Sequence, residues 1–170
     1  MRLAKGFLCL SILLFLPGVA KCQQPTLNDP LLDALIGKWV LTGDITGQQT
    51  THDVDVQWVL NHQFISIHEI SREKTPEALP QYEAHVYIGW DAKKNQYVVH
   101  WIDVFGGGFA SVGYAPKDKS SIAMIFKSED GDFHTTFTFD QATNTWQWTM
   151  DSEQNGKLHA FARLKMSRQK

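Results

Sequence analysis

From Lys38 almost to the C-terminus, apolar and polar side chains alternate with a period of two. That spacing places successive side chains on opposite faces of an extended chain and predicts β-strands. About ten such segments follow one another, from KWVLTGDIT, HDVDVQWVL and QFISIHEIS to NTWQWTMD and KLHAFARLKM. Turn-forming stretches such as KTPEALP, DAKKN, EDGD and EQNG separate them. No 10- to 15-residue helical pattern interrupts the series. Short links between alternating strands predict an all-β antiparallel meander, and closing about ten strands into a barrel removes two exposed edges.

The same parity predicts the inner face. It collects Val54, Val56, Trp58 and Leu60, then Ala84, Val86, Ile88 and Trp90, then Tyr97, Val99 and Trp101. Ile122, Met124 and Phe126 follow, with Phe133, Phe137 and Phe139, with Trp146, Trp148 and Met150, and with Leu158, Ala160, Ala162 and Leu164. Burying each large side chain stabilises by roughly 1.5–3 kcal/mol. A barrel of this girth is wider than its side chains fill easily, so an internal cavity is expected.

Ahead of the strands, NDPLLDALIG predicts a short helix: Asn28 or Asp29 caps it, Pro30 suits its first turn and Gly37 its stop. Further upstream, Arg2 and Lys5 precede the apolar run FLCLSILLFLPGVA. This is the pattern of a secretory signal over residues 1–22, and the run is short for a membrane span. Residues 23–36 then form a polar lead and the short helix, and 37–167 a single β-barrel domain. Export to the periplasm or the cell exterior is the expectation, with a lipid anchor at Cys22 as a lesser alternative.

Cys9 and Cys22 are the only cysteines, so removal of the signal excludes an intrachain disulfide. Without Arg2, Lys5 and Lys21, the 16 basic residues become 13 against 18 acidic ones, a formal charge of −5. No basic run survives, which argues against nucleic acid as a partner.

Candidate chemistry is sparse. Trp90 and Trp101 flank a polar turn and send two indoles inward, Asp103 keeps the parity of Trp101, and Gly106–Gly108 permit a bulge or a tight return. Those glycines lack the strand-to-helix setting of a phosphate loop. His85 and His100 share an outer face without a third ligand at clear spacing, so no zinc site is expected. His68 and Glu69 lie on opposite faces of one strand. There is no nucleophile elbow, metalloprotease helix or cysteine with a partner base, so no catalytic residue is assigned.

GKW at Gly37–Trp39 opens the first strand and resembles the Gly-x-Trp of the calycin superfamily of lipocalin-like barrels. The resemblance implies that Trp39 packs near a basic residue of the last strand, with Arg163 the matching candidate. LIGKWVLTGDI, VQWVLNHQFISIHEI and YIGWDAKKNQYVVHWID together resemble a bacterial domain-of-unknown-function family, number fifteen-seventy-nine. That resemblance implies a lipocalin-like barrel and no particular activity, and Trp90 stands where the family usually has Tyr. KLHAFARLKM resembles the final strand of nitrobindins, which implies haem binding through His159, although the nitrobindin opening is absent.

The leading expectation is a barrel that binds a small apolar or amphipathic molecule, with no cofactor. Its lining would be Trp58, Ile88, Trp90, Trp101, Phe126, Phe137 and Trp148, and Asp103 would orient a polar group of the ligand. The alternatives are a filled structural or protein-interaction barrel and a haem protein using His159.

Overall fold

The computed structural model describes residues 25–170, so the expected signal segment, Cys9 and Cys22 lie outside the described residues. The described residues form one short helix, α1 (Pro30–Leu35), and ten strands. The strands are β1 (Gly37–Ile45), β2 (Gln48–Val59), β3 (Phe64–Ser71), β4 (Glu83–Asp91) and β5 (Gln96–Asp103). They continue with β6 (Ser111–Pro116), β7 (Ser121–Phe126), β8 (Phe133–Asp140), β9 (Thr145–Gln154) and β10 (Lys157–Arg168). Each strand pairs antiparallel with the next, and β1 pairs with β10, so the meander closes into a barrel without edges. No helix among the described residues is long and apolar enough to cross a membrane.

Period two governs most of the wall. Val54 and Val56 on β2, Ile65 and Ile67 on β3, Val86 and Ile88 on β4, and Tyr97 and Val99 on β5 are all buried. Two departures are instructive. Leu60 was expected inside, but β2 ends at Val59, and Leu60, Asn61 and His62 take positive φ in the turn, leaving Leu60 67 % exposed. Leu158 and Ala160 were also expected inside. A register shift between Ala160 and Ala162 reverses the faces of β10 before that point, and Leu158 and Ala160 are exposed.

One end of the barrel is plugged by α1, whose Leu31, Leu32 and Leu35 are buried in the core. Asp29 caps the helix, accepting from the Leu31 and Leu32 N–H groups at 3.0 and 3.4 Å. It also accepts from the Tyr97 hydroxyl at 2.6 Å and pairs with Lys117 at 2.9 Å. One carboxylate thus fixes the helix, β5 and the loop after β6 together. The Trp39 indole adds a tie by donating to the Leu35 carbonyl at 2.7 Å.

The cation over Trp39 is Arg168, with its guanidinium 3.8 Å from the ring centroid. Arg163 was expected there. The register of β1 with β10 puts Arg168 opposite Trp39 and Arg163 opposite Asp44, most of the strand away. Arg163 instead donates to the Met150 and Ala162 carbonyls at 2.8 and 2.7 Å and pairs with Asp151 at 2.5 Å. Gly43 keeps β1 close to β10 here: with φ at +152°, a Cβ would collide with the Arg163 carbonyl oxygen.

Candidate functional site

The opposite end of the barrel holds a cavity of about 740 Å3. Its walls come from the strand ends farthest from α1 and from the β3–β4 and β5–β6 connections. One side is aromatic, built from Phe105, Phe109, Phe126, Phe133 and Phe161. Gly113 makes room for the Phe126 ring, since a Cβ there would come within 2.7 Å of it. The β10 bulge accounts for Phe161, which meets Phe133 edge-on at 5.3 Å.

The other side is polar. His52 of β2 and Glu69 of β3 are 2 % and 1 % exposed, and the His52 Nδ1 is hydrogen-bonded to Glu69 Oε1. The second oxygen, Oε2, is buried and has no hydrogen-bond partner. On the far side of the imidazole, Nε2 meets the Thr50 hydroxyl at 2.7 Å, and that hydroxyl donates to Glu73 at 2.9 Å. Glu73 also accepts from the Thr51 N–H at 3.0 Å. Burial pushes the Glu73 carboxyl up, but hydrogen bonds from its own backbone, Thr50 and Thr51 outweigh this and hold it below the usual range.

Tyr82 closes the polar wall, and its hydroxyl accepts from the Trp101 indole at 3.0 Å. Burial pushes the Tyr82 phenol well above its usual range, and the nearby Glu69 and Asp103 carboxylates push it further. Tyr82 is therefore a neutral polar group at any physiological pH. Asp103 lies at the mouth, where its carboxylate accepts from the Phe105 N–H at 3.0 Å. Turn hydrogen bonds from Gly106 N to Asp103 O and from Phe109 N to Gly106 O fold the glycine loop back and leave Phe105 and Phe109 exposed at the rim.

Of the eight expected lining residues, the cavity brings together Trp101, Asp103 and Phe126. Ile88, Phe137 and Trp148 are buried beneath it, where Trp148 packs edge-on against Phe137 at 4.5 Å and against Trp101 at 5.7 Å. Trp58 and Trp90 are at the helix-plugged end. The Trp58 indole donates to Asp33 at 3.0 Å and stacks on His62, while Trp90 meets Tyr97 edge-on and Lys117 from above. Parity gives the face of a side chain but not its height in the barrel, which is why five residues were misplaced. The structure contributes a set the sequence reading left out: His52, Glu69, Glu73 and Tyr82. A signal for two of them was present, because His52 continues the inward parity of Val54, and Glu69 that of Ile67.

The outward histidines form a different arrangement. His85 lies directly opposite His68 rather than His100, and the two rings stack at 4.2 Å with planes 3° apart. Glu83 joins them through a 2.8 Å hydrogen bond between its Oε1 and His68 Nε2, so a third potential metal ligand is present. In-plane lone pairs of parallel stacked rings do not converge on one point, so a shared ion would require one ring to turn. Asp132, His134 and Glu153 form a second such group, with Lys127 already bonded to Asp132. His159 lies exposed on β10 opposite Ser152 and does not line the cavity. No family model and no curated protein matches the chain.

Proposed function

We propose that the chain is an exported, lipocalin-like barrel that binds a small amphipathic molecule in the chamber at its open end. The carrying observation is that one cavity of about 740 Å3 joins an aromatic wall to a polar wall that includes Glu69, whose buried Oε2 has no hydrogen-bond partner. The volume falls in the range of small-molecule sites, on the order of 300–1,000 Å3. An unmade hydrogen bond at a buried acceptor costs about 1–3 kcal/mol, and a ligand donor placed there recovers that cost. The exposed Phe105 and Phe109 give the rim an apolar entry.

A filled structural barrel is the second reading. It is favoured by the lower half of the interior, where Ile88, Tyr97, Phe137 and Trp148 are at most 1 % exposed. Native mass spectrometry of the processed protein, purified without detergent, separates the two when combined with titration of the neutral dye Nile red. A retained discrete mass, or saturable dye emission displaced by small amphipathic molecules, is the expected result. A bare chain mass with no dye response would overturn the binding reading in favour of the filled barrel.

A further inference from the structure

We propose that the ligand's polar head is a protonated amine, carried on an apolar or aromatic body, and that Glu69 is its principal anchor. This rests on the cavity being a binding site and specifies what the site selects.

The argument begins with Glu69. Its Oε1 is committed to His52, and that hydrogen bond holds one proton whichever partner carries it. Oε2 is left as an acceptor, buried and unpartnered, in a residue that lines the chamber. The group that completes it has to be a donor. Carboxylates and bare ethers are excluded, while hydroxyls, amides and ammonium groups qualify.

Charge narrows the choice. The lining carries three carboxylates, Glu69, Glu73 and Asp103, against the two basic residues His52 and Lys127. His52 is already held between Thr50 and Glu69. Lys127 has its ammonium largely in solvent and pairs with Asp132. Among the described residues, the chamber therefore presents an excess of negative charge with no free cation facing it. An anionic head would meet like charge in a poorly solvated space, whereas an ammonium meets opposite charge and hydrogen-bonding oxygens together. The adjoining rings favour the same sign. Trp101 and Tyr82 are joined by a hydrogen bond at the carboxylate side, and Phe105 stands 6.0 Å from Tyr82. Aromatic faces attract cations and repel anions. The Phe126, Phe133 and Phe161 side then receives the apolar body.

The test uses three probes that share one naphthyl body: naphthylethylamine, naphthylethanol and naphthylpropionate. Their affinities for the intact processed protein are measured at neutral pH by titration calorimetry. The amine is expected to bind about tenfold more tightly than the alcohol, and the carboxylate most weakly. Glu69→Gln keeps the side-chain shape and replaces the carboxyl with a neutral amide, so the amine-to-alcohol preference should fall to about twofold. An amine that binds no better than the alcohol, or a carboxylate that binds best, overturns the assignment. So does a preference that survives Glu69→Gln unchanged. The wild-type comparison needs no variant, so it decides the question even if Glu69→Gln fails to fold. If neither naphthylethanol nor Nile red binds, the binding reading itself falls, and the amine assignment falls with it. If they bind and the amine has no advantage, only the amine assignment falls.

Discussion

The Arg168 guanidinium lies 3.8 Å over the centroid of the Trp39 indole, and its terminal nitrogens donate to the Ile36 and Ala34 carbonyls at 2.6 and 3.2 Å. The last strand thereby grips the first strand and the end of the helix with one planar cation. Stacking and two carbonyl contacts require the shape of arginine. Arg168→Ala is expected to lower unfolding stability by about 1–3 kcal/mol. Arg168→Lys should recover less than half of that, because an ammonium cannot stack flat and reach both carbonyls. Urea unfolding midpoints of the three proteins check this.

Asp29 makes stability depend on acid. Burial alone would raise its carboxyl, but the Tyr97 hydroxyl, Lys117 and the Leu31 N–H together hold it below the usual range. A carboxyl depressed in the folded state contributes stability that is present above its unfolded value, about 4, and is lost as pH falls through the folded value. The wild type should therefore lose stability steeply on acidification below about pH 4. Asp29→Asn keeps a capping side chain but loses the ion pair. It should be about 1–3 kcal/mol less stable at neutral pH and show a shallower acid slope. Thermal unfolding across the acid range measures both effects.

Two phenols at opposite ends of the barrel, the fully buried Tyr97 and the partly buried Tyr82, report from the alkaline side. Burial pushes Tyr97 well above the usual range, with its hydrogen bond to Asp29 adding to the shift, and Tyr82 is raised in the same direction. A raised phenol contributes stability that is whole below about pH 10 and is lost as pH climbs toward the folded value. Tyr82→Phe and Tyr97→Phe should leave the early part of the phenolate absorbance titration unchanged. Loss of early amplitude in either variant would contradict the burial seen here.

Height in the barrel separates ligand contact from packing. Ile88 is fully buried below the chamber, so Ile88→Ala should cost about 2–5 kcal/mol in stability with Nile red affinity unchanged. Phe105 is 62 % exposed on the rim, so Phe105→Ala should shift stability by about 0.5 kcal/mol or less while weakening the dye severalfold. Paired denaturation and dye titrations check the double dissociation.

The antiparallel barrel was legible in the sequence because its causes are local. Alternation through stretches such as HVYIGW and MIF sets which side chains share a face, and turn residues such as those of DAKKN and EQNG set where the chain reverses. Ten segments with short links leave few ways to pair, and closure follows from the cost of open edges. Trp101, Asp103 and Phe126 were identified as cavity residues for the same reason: each continues an inward face near the end of a strand.

The site as a whole depended on relations the sequence does not carry in any local pattern. Two inward side chains, Ile88 and Trp101, take different roles because the helix plugs one end and the large cavity lies at the other. A single extra residue near Phe161 turns that ring to the chamber and Leu158 to solvent. Register across the closing seam, fixed by the whole circuit of strands, puts Arg168 rather than Arg163 on Trp39. The meeting of His52 with Glu69 joins residues 17 positions apart and leaves the second Glu69 oxygen buried without a hydrogen-bond partner. Sequence alone determined the period, the turns and therefore the barrel. Tertiary structure decided which end is open and which polar groups face it, because height, register and bulges are set by packing among strands distant in the chain.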